Sequence, residues 1–385
     1  MRRFLAASAA AALAACSSMP SLNPLDWFSS SSSGPKPAEL PALTNPQAVR
    51  VLWSSAIGRA DAFVFSPAFA GDSVYAAARD GAVACLDASG GQVRWKTSIG
   101  TRLSAGVGSD GKLAVVATEE GEVLALDAKT GALRWKTRVS SEVLAAPVVG
   151  GDLVIVRSAD SRIFAFSAVD GKRRWVFQRA AAPLIVRSPA GVTLHQGLAY
   201  AGFSGGKLVA IALSNGGVRW EATVAAPKGA TELERVTDII GNPTAQGREV
   251  CAAAFQGRVA CYDAQSGTQQ WAREMSTLTG VSFDARYAFV SDDRGAVHAL
   301  DRTNGRSVWK QDRLANRRLS LPVPLASELA LGDFEGYVHF LARDAGTFVA
   351  RIATDGSPVQ AAPLRLSSGL LVQTRNGGLY ALSLR

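Results

Sequence analysis

Beyond residue 48 the chain breaks into short runs in which apolar and polar residues alternate, separated by Gly, Asp and Asn. Alternation with a period of two marks a half-buried strand, and these three residue types supply the turns between strands. In the first full unit the runs fall at 64–70, 74–78, 83–87 and 93–99. The third and fourth runs then recur in nearly the same wording: GAVACLDASGGQVRW, GEVLALDAKTGALRW, SRIFAFSAVDGKRRW, GKLVAIALSNGGVRW, GRVACYDAQSGTQQW and GAVHALDRTNGRSVW. These six copies end at Trp95, Trp135, Trp175, Trp220, Trp271 and Trp309, and Trp53 lies one period earlier. A seventh copy, GYVHFLARDAGTFVA, carries Ala350 at the Trp position, and an eighth, GGLYALSLR, stops with the chain. A second marker runs in phase, a proline at 67, 147, 189, 243, 322 and 363, placed at the start of the innermost strand where no ladder donor is lost.

Four strands in about forty residues is the period of a propeller blade. The pattern predicts an all-β fold, an eight-bladed β-propeller of four-stranded antiparallel blades. The N-terminal run VRVLWSSAIG supplies the outer strand that the C-terminal blade lacks, which closes the ring and leaves only short edges. Within each copy the turn glycine, as at Gly131, supplies a positive backbone angle, and the Asp before it, as at Asp127, bonds turn amides. The tryptophan packs across the gap to the next blade. Seven such sites spread round a rim cannot all touch one substrate, so the repeat is read as structural.

The first fifteen residues, MRRFLAASAAAALAA, combine a basic start, a short apolar run and small residues, which is an export signal. LAAC, ending at Cys16, resembles the bacterial lipobox, in which the cysteine is acylated and becomes the mature N-terminus; Ser17 resembles the outer-membrane sorting signal. Two or three acyl chains anchor stably where one does not. The expected domains are a lipoprotein signal at 1–15, a lipidated Cys16 with a flexible Ser/Pro-rich tether over 16–48, and the propeller over 49–385. The tether holds Trp27 and Phe28, read either as chance or as a contact with membrane or partner. Loss of Arg2 and Arg3 with the signal lowers the formal charge from +9 to +7. The cations are scattered over strands and turns with no dense stripe, which argues against nucleic acid and for solubility or an acidic protein or lipid partner.

Candidate chemistry is sparse. His298 and His339 share one position in successive blades and, with His195, are expected as packed strand residues rather than metal ligands. DDRG and DFEG read as acidic turns, and no GxSxG, phosphate loop or CxxCH occurs. Cys85, Cys251 and Cys261 remain after the anchor. A two-residue Gln256-Gly257 turn pairs Cys251 with Tyr262 and puts the two thiols on opposite faces, so free buried thiols are expected; one extra bulge residue would bring them together. No catalytic residue, metal or cofactor is predicted.

Two spacings break the rhythm. Trp175 to Trp220 spans 45 residues and Trp220 to Trp271 spans 51. The excess falls in RAAAPLIVRSPAG and APKGATELERVTDIIGNP, which both lead from one blade's outer strand to the next blade's inner strand and so emerge side by side. They offer apolar anchors, an Arg and acids, as a protein interface requires.

The repeat resembles that of quinoprotein dehydrogenases, whose PQQ cofactor needs converging carboxylates, an Asn and a metal, with adjacent cysteines over the ring. Here no Cys-Cys pair occurs, and SPAFA, APVVG and LPVPL occupy the inner strands. Lipobox, tether and all eight copies together resemble the BamB family, propeller lipoproteins of the outer-membrane β-barrel assembly machinery, most specifically in STLTGVSFDARYAFVSDDRGAVHALD and LALGDFEGYVHFLARDAGTFVA. In that family too, the seventh copy lacks the tryptophan. The resemblance implies a non-enzymatic scaffold that binds the periplasmic domains of BamA, alongside other subunits of the complex. Its LxLR segment matches LIVR and carries Leu184, Val186 and Arg187 over as contacts. Its SDVDTTP segment carries over Asp238, while Ile240 replaces the second acid, for which Glu232 or Glu234 could compensate. Orienting the insertase and offering strand edges to unfolded clients both remain open as modes of action. The alternatives are a periplasmic quinoprotein-like enzyme and a propeller adaptor of another envelope complex.

Overall fold

Each copy of the repeat folds into one antiparallel sheet. The computed structural model describes residues 35–180 and 184–384; Cys16, Trp27 and Phe28 lie outside them. Eight four-stranded sheets follow one another as blades of a ring. In blade 1 the strands are Ala68–Ala70, Ser73–Ala77, Ala82–Asp87 and Val93–Ser98, so the innermost strand begins four residues later than the alternation suggested. The first strands of neighbouring blades touch one another and line the axis. Pro67, Pro147, Pro243, Pro322 and Pro363 each stand immediately before an inner strand, where their missing N–H costs no ladder bond; Pro189 lies three residues ahead of Val192. The middle strands are buried along almost their whole length, whereas an outer strand such as Leu133–Arg138 hides little but its tryptophan.

The tryptophan belongs to the next blade as much as to its own. Each of the seven ring tryptophans donates its indole N–H to a backbone carbonyl in the following blade's turn, at 2.7–2.9 Å. Trp95 thus reaches Ala128, and its ring lies on Gly131, whose φ is +73°. A Cβ on Gly131 would sit 2.6 Å from Trp95 Cε3, so position 131 needs glycine for its angle and for its contact. Asp127 holds that turn in shape, its Oδ1 accepting from the amides of Lys129 and Thr130 at 3.0 and 2.9 Å.

Blade 8 explains the missing mark at Ala350. Its outer strand is Val49–Ala56 from the N-terminal side, paired with Gly378–Leu384 from the C-terminal side. No turn therefore joins its third and fourth strands, and a tryptophan at 350 would have neither a turn carbonyl to bond nor a turn glycine to lie on. Ala350 instead packs in a closed cluster with Val338, Phe340, Val359, Leu370 and Leu382.

The chain is already held on the ring before residue 49. Ala38 N donates to Ala315 O at 2.9 Å, Arg351 donates to Pro41 O at 2.7 Å, and Gln47 N donates to Val349 O at 2.9 Å. Leu40 packs against the cluster of Leu314, Leu319 and Phe348. Residues 38–47, expected as part of the flexible tether, are instead held against the ring, because Leu40 and Pro41 bury apolar surface against blades 6 and 7.

A buried polar group secures this strap. Arg317 donates to Ala38 O at 3.0 Å and to Asp333 Oδ2 at 2.8 Å, and the same oxygen takes His339 Nε2 at 2.9 Å. Burial depresses the His339 pKa against the pull of Asp333, with Arg317 and Arg351 adding to the depression. Tyr337 and Phe348 complete the wall around the imidazole. In the pH range below about 6.5 the unfolded chain binds a proton that folded His339 refuses, so stability falls as pH falls, by at most ~1.4 kcal/mol per unit. Thermal melts between pH 7.5 and 5.5 should show this loss in the wild type and a flatter profile in His339→Gln; equal slopes would contradict it.

Cys251 and Cys261 form a disulfide, contrary to the expected free thiols. The cause is the turn. Ala254 N bonds Arg258 O, leaving a three-residue loop of Phe255, Gln256 and Gly257 in place of the two-residue one, with Gln256 at φ +47°. The register then sets Cys251 opposite Cys261, their Cα atoms 4.1 Å apart. Of the three cysteines within the ring only Cys85 is free. Titration of the unfolded, unreduced ring should find that one thiol, and three would overturn the pairing.

Candidate interaction surface

The two overlong connections lie beside each other at blades 3 to 5, as their spacing suggested, and they are tied by a specific bond. Val186 N donates to Asp238 Oδ2 at 2.6 Å. Asp238 is only 5% exposed and sits on an isolated bridge with Ser204, in the turn of blade 4. Burial raises its carboxyl pKa, opposed by bonds from the Val186 and Gly205 amides and by Arg157. Arg157 lies beneath, its guanidinium 5.1 Å from the centre of the Phe203 ring, and burial pulls its pKa down to about 10. Its shielded Nη1 has no hydrogen-bond partner among the described residues.

Above this latch the first loop is open. Leu184 and Ile185 are 45% and 44% exposed, Val186 is half-buried, and Arg187 is exposed. Arg187 is not idle: its Nη2 pairs with Glu142 at 2.9 Å, and its guanidinium stands 5.3 Å from the Phe63 ring, which faces it from the connection entering blade 1. The carboxylate and the aromatic ring thus restrain the guanidinium, leaving it less side-chain freedom to lose on binding. In the second loop Leu233 is exposed, while Glu234 turns back to accept from the amides of Ala230 and Thr231 at 2.8 and 3.0 Å.

Ile240, where the resemblance would place an acid, is 3% exposed and bonds Ala253 through its amide. A carboxylate there would be desolvated, so the apolar residue belongs to the packing beneath the surface. No sequence signal marks Glu142 or Phe63, because both stand in connections of ordinary length. Ile185 stood within the quoted segment but between its matched positions; its exposure makes it an equal of Leu184. Leu278, in the connection after blade 5, is also exposed, and Gly241 packs against the Thr279 carbonyl beside it.

The histidines of the described residues are each paired within the fold. His298 and His339 each bond the aspartate of their own blade's turn, Asp292 and Asp333, at 2.9 Å. His195 meets the carbonyl of Gly247 at 2.8 Å. Among the described residues one group has metal-ligating spacing, Glu249 with Cys251 and Cys261, and both thiols are spent on the disulfide while Glu249 pairs with Arg302.

Comparison with known proteins shows the family. The profile of the family described as outer membrane protein assembly factor BamB matches residues 43–103 and 79–311. The outer membrane protein assembly factor BamB of Bordetella pertussis is 42% identical over 359 residues, 93% of each chain. The crystal structure of BamB from Moraxella catarrhalis superposes with a TM-score of 0.80 at 27% identity, over 87% of this chain and all of that one. A quinohemoprotein alcohol dehydrogenase from Comamonas testosteroni reaches a TM-score of 0.68 at 12% identity, over 87% of this chain and 76% of its own, a likeness of fold alone. With its eight blades, its seven tryptophan junctions and a relative matched over nearly its whole length, the chain belongs to the outer membrane protein assembly factor BamB family.

Proposed function

We propose that this chain is the scaffold subunit that docks the periplasmic domains of BamA within the barrel-assembly complex, from a lipid anchor at Cys16 that holds it to the outer membrane on the periplasmic side. Membership of the complex follows from the family, which is one of assembly factors and not of enzymes. The observation that carries the docking reading is the bond between Val186 N and Asp238, which joins the two period-breaking loops into one surface. Leu184 and Ile185 give that surface an apolar centre and Arg187 a fixed charge beside it. Arginine is among the residue types enriched at binding hot spots, and the exposed aliphatic pair beside it supplies apolar area for a partner to cover.

Affinity capture of the tagged full chain from detergent-solubilised membranes tests this reading. The insertase should be recovered with it, and recovery of other envelope proteins without the insertase would favour an adaptor of another complex.

A further inference from the structure

Asp238 is well placed to act on the first loop and badly placed to meet a partner. Its carboxylate is almost wholly covered, and one oxygen is committed to Val186 N at 2.6 Å. The segment that carries it rests on the tip of the blade 5 hairpin: Phe255 N donates to Asp238 O at 2.8 Å, and Ile240 N donates to Ala253 O at 3.1 Å. On its other side Ile239 N donates to Phe203 O at 3.3 Å. Gly257 completes the bed, close enough to Ala225 that a Cβ would lie 2.6 Å from the alanine methyl. The two strands that present this tip are the ones joined by the Cys251–Cys261 disulfide, whose cysteines are fully buried.

We infer that Asp238 is a positioning residue for the partner-binding loop, seated on a disulfide-closed hairpin, and makes no contact with the partner itself. The carboxylate fixes the backbone at Val186, which sets the directions of Leu184 and Arg187 on either side of it. The disulfide keeps the hairpin tip in the three-residue form that supplies the two bonds under Asp238. Presentation of the docking surface therefore depends on an oxidising compartment, through a bond remote from the surface. The inference rests on the reading that 184–187 meets the partner, and its first readout is independent of any partner.

The test uses the full chain in three forms besides the wild type: Asp238→Ala, Asp238→Asn and the double variant Cys251→Ala/Cys261→Ala. Hydrogen exchange is followed at Val186 and at 238–240, with the strands bearing Trp95 and Trp135 as internal reference. Asp238→Ala should speed exchange at Val186 about tenfold and weaken binding to the insertase's periplasmic domains about tenfold, with the reference strands unchanged. Asp238→Asn carries no charge but keeps an oxygen for the amide, and should bind within about threefold of wild type. A direct ionic contact would instead make Asn as poor as Ala and leave Val186 exchange unaltered, and that result would overturn the inference. The cysteine double variant should speed exchange at 238–240, and unchanged exchange there would remove the disulfide from the account. If exchange behaves as stated while Leu184→Asp leaves partner binding intact, the positioning stands and the docking assignment fails.

Discussion

Deletion of residues 377–385 should unfold the ring rather than trim it. The deleted strand is the third of blade 8 and pairs on both sides, with Val49–Ala56 and with Gly369–Gln373. Leu379, Ala381 and Leu382 are completely buried, the first two against Val74, Ala76 and Ala84 of blade 1 and the last beside Val338 and Phe340 of blade 7. Without them the N-terminal strand has no partner, Trp53 loses the sheet from which it reaches Ala88, and two neighbouring blades expose apolar faces. A closed propeller has no free end at which such damage can stop, so cooperative loss of the whole array is expected. The check is circular dichroism with size-exclusion chromatography. A soluble truncated chain that melts within a few degrees of wild type would contradict closure by the split blade. A circular permutant that joins 384 to 49 through a copy of the DAKTG turn, and opens at the exposed first-to-second-strand turn at Gly151, should keep the fold. In that permutant Ala350→Trp acquires a turn to dock on, whereas in the natural connectivity the same change overpacks the junction by about 1–3 kcal/mol.

The second large effect is functional. Arg187→Glu should weaken binding to the insertase's periplasmic domains about a hundredfold, the scale of a hot-spot arginine replaced by its opposite. The substitution also sets two acids face to face, because Arg187 pairs with Glu142 within the chain. The exchange Glu142→Arg with Arg187→Glu restores that internal pair while still reversing the charge shown to the partner. If the guanidinium is a contact, the double variant remains as weak as the single. Recovery of wild-type affinity by the double variant would show that the arginine only braces the loop.

How much of this was written in the sequence depends on whether a feature repeats. Strand number, blade number and ring closure could be read because the Trp and Pro marks recur in phase, and each recurrence is an independent statement of the same packing. The two long loops could be read because they interrupt that phase. Single events escaped. The three-residue turn at Phe255, Gln256 and Gly257 differs from a two-residue turn by one bond between Ala254 and Arg258, and that bond decides whether two thiols meet. The strap at 38–47 has no periodicity, and its attachment depends on Arg317 and Arg351, which lie far away in sequence. The absent tryptophan at 350 was visible as a family trait, but its reason appears only when the termini are seen to replace the turn it would have docked on. Asp238 likewise matched a motif as a charge, and burial gives it a different task.

The proposed function rests on the surface formed by the two long loops. The direct measurement is titration calorimetry of the purified chain against the insertase's periplasmic domains. It compares wild type, the double variant Leu184→Asp/Arg187→Glu, and Arg306→Glu, an exposed cation in a third-to-fourth-strand turn at the opposite end of the blades. Wild type and Arg306→Glu should bind alike, and the loop variant at least about a hundredfold more weakly. Equal affinity for all three forms, or equal weakening by both changes, would contradict the proposed function.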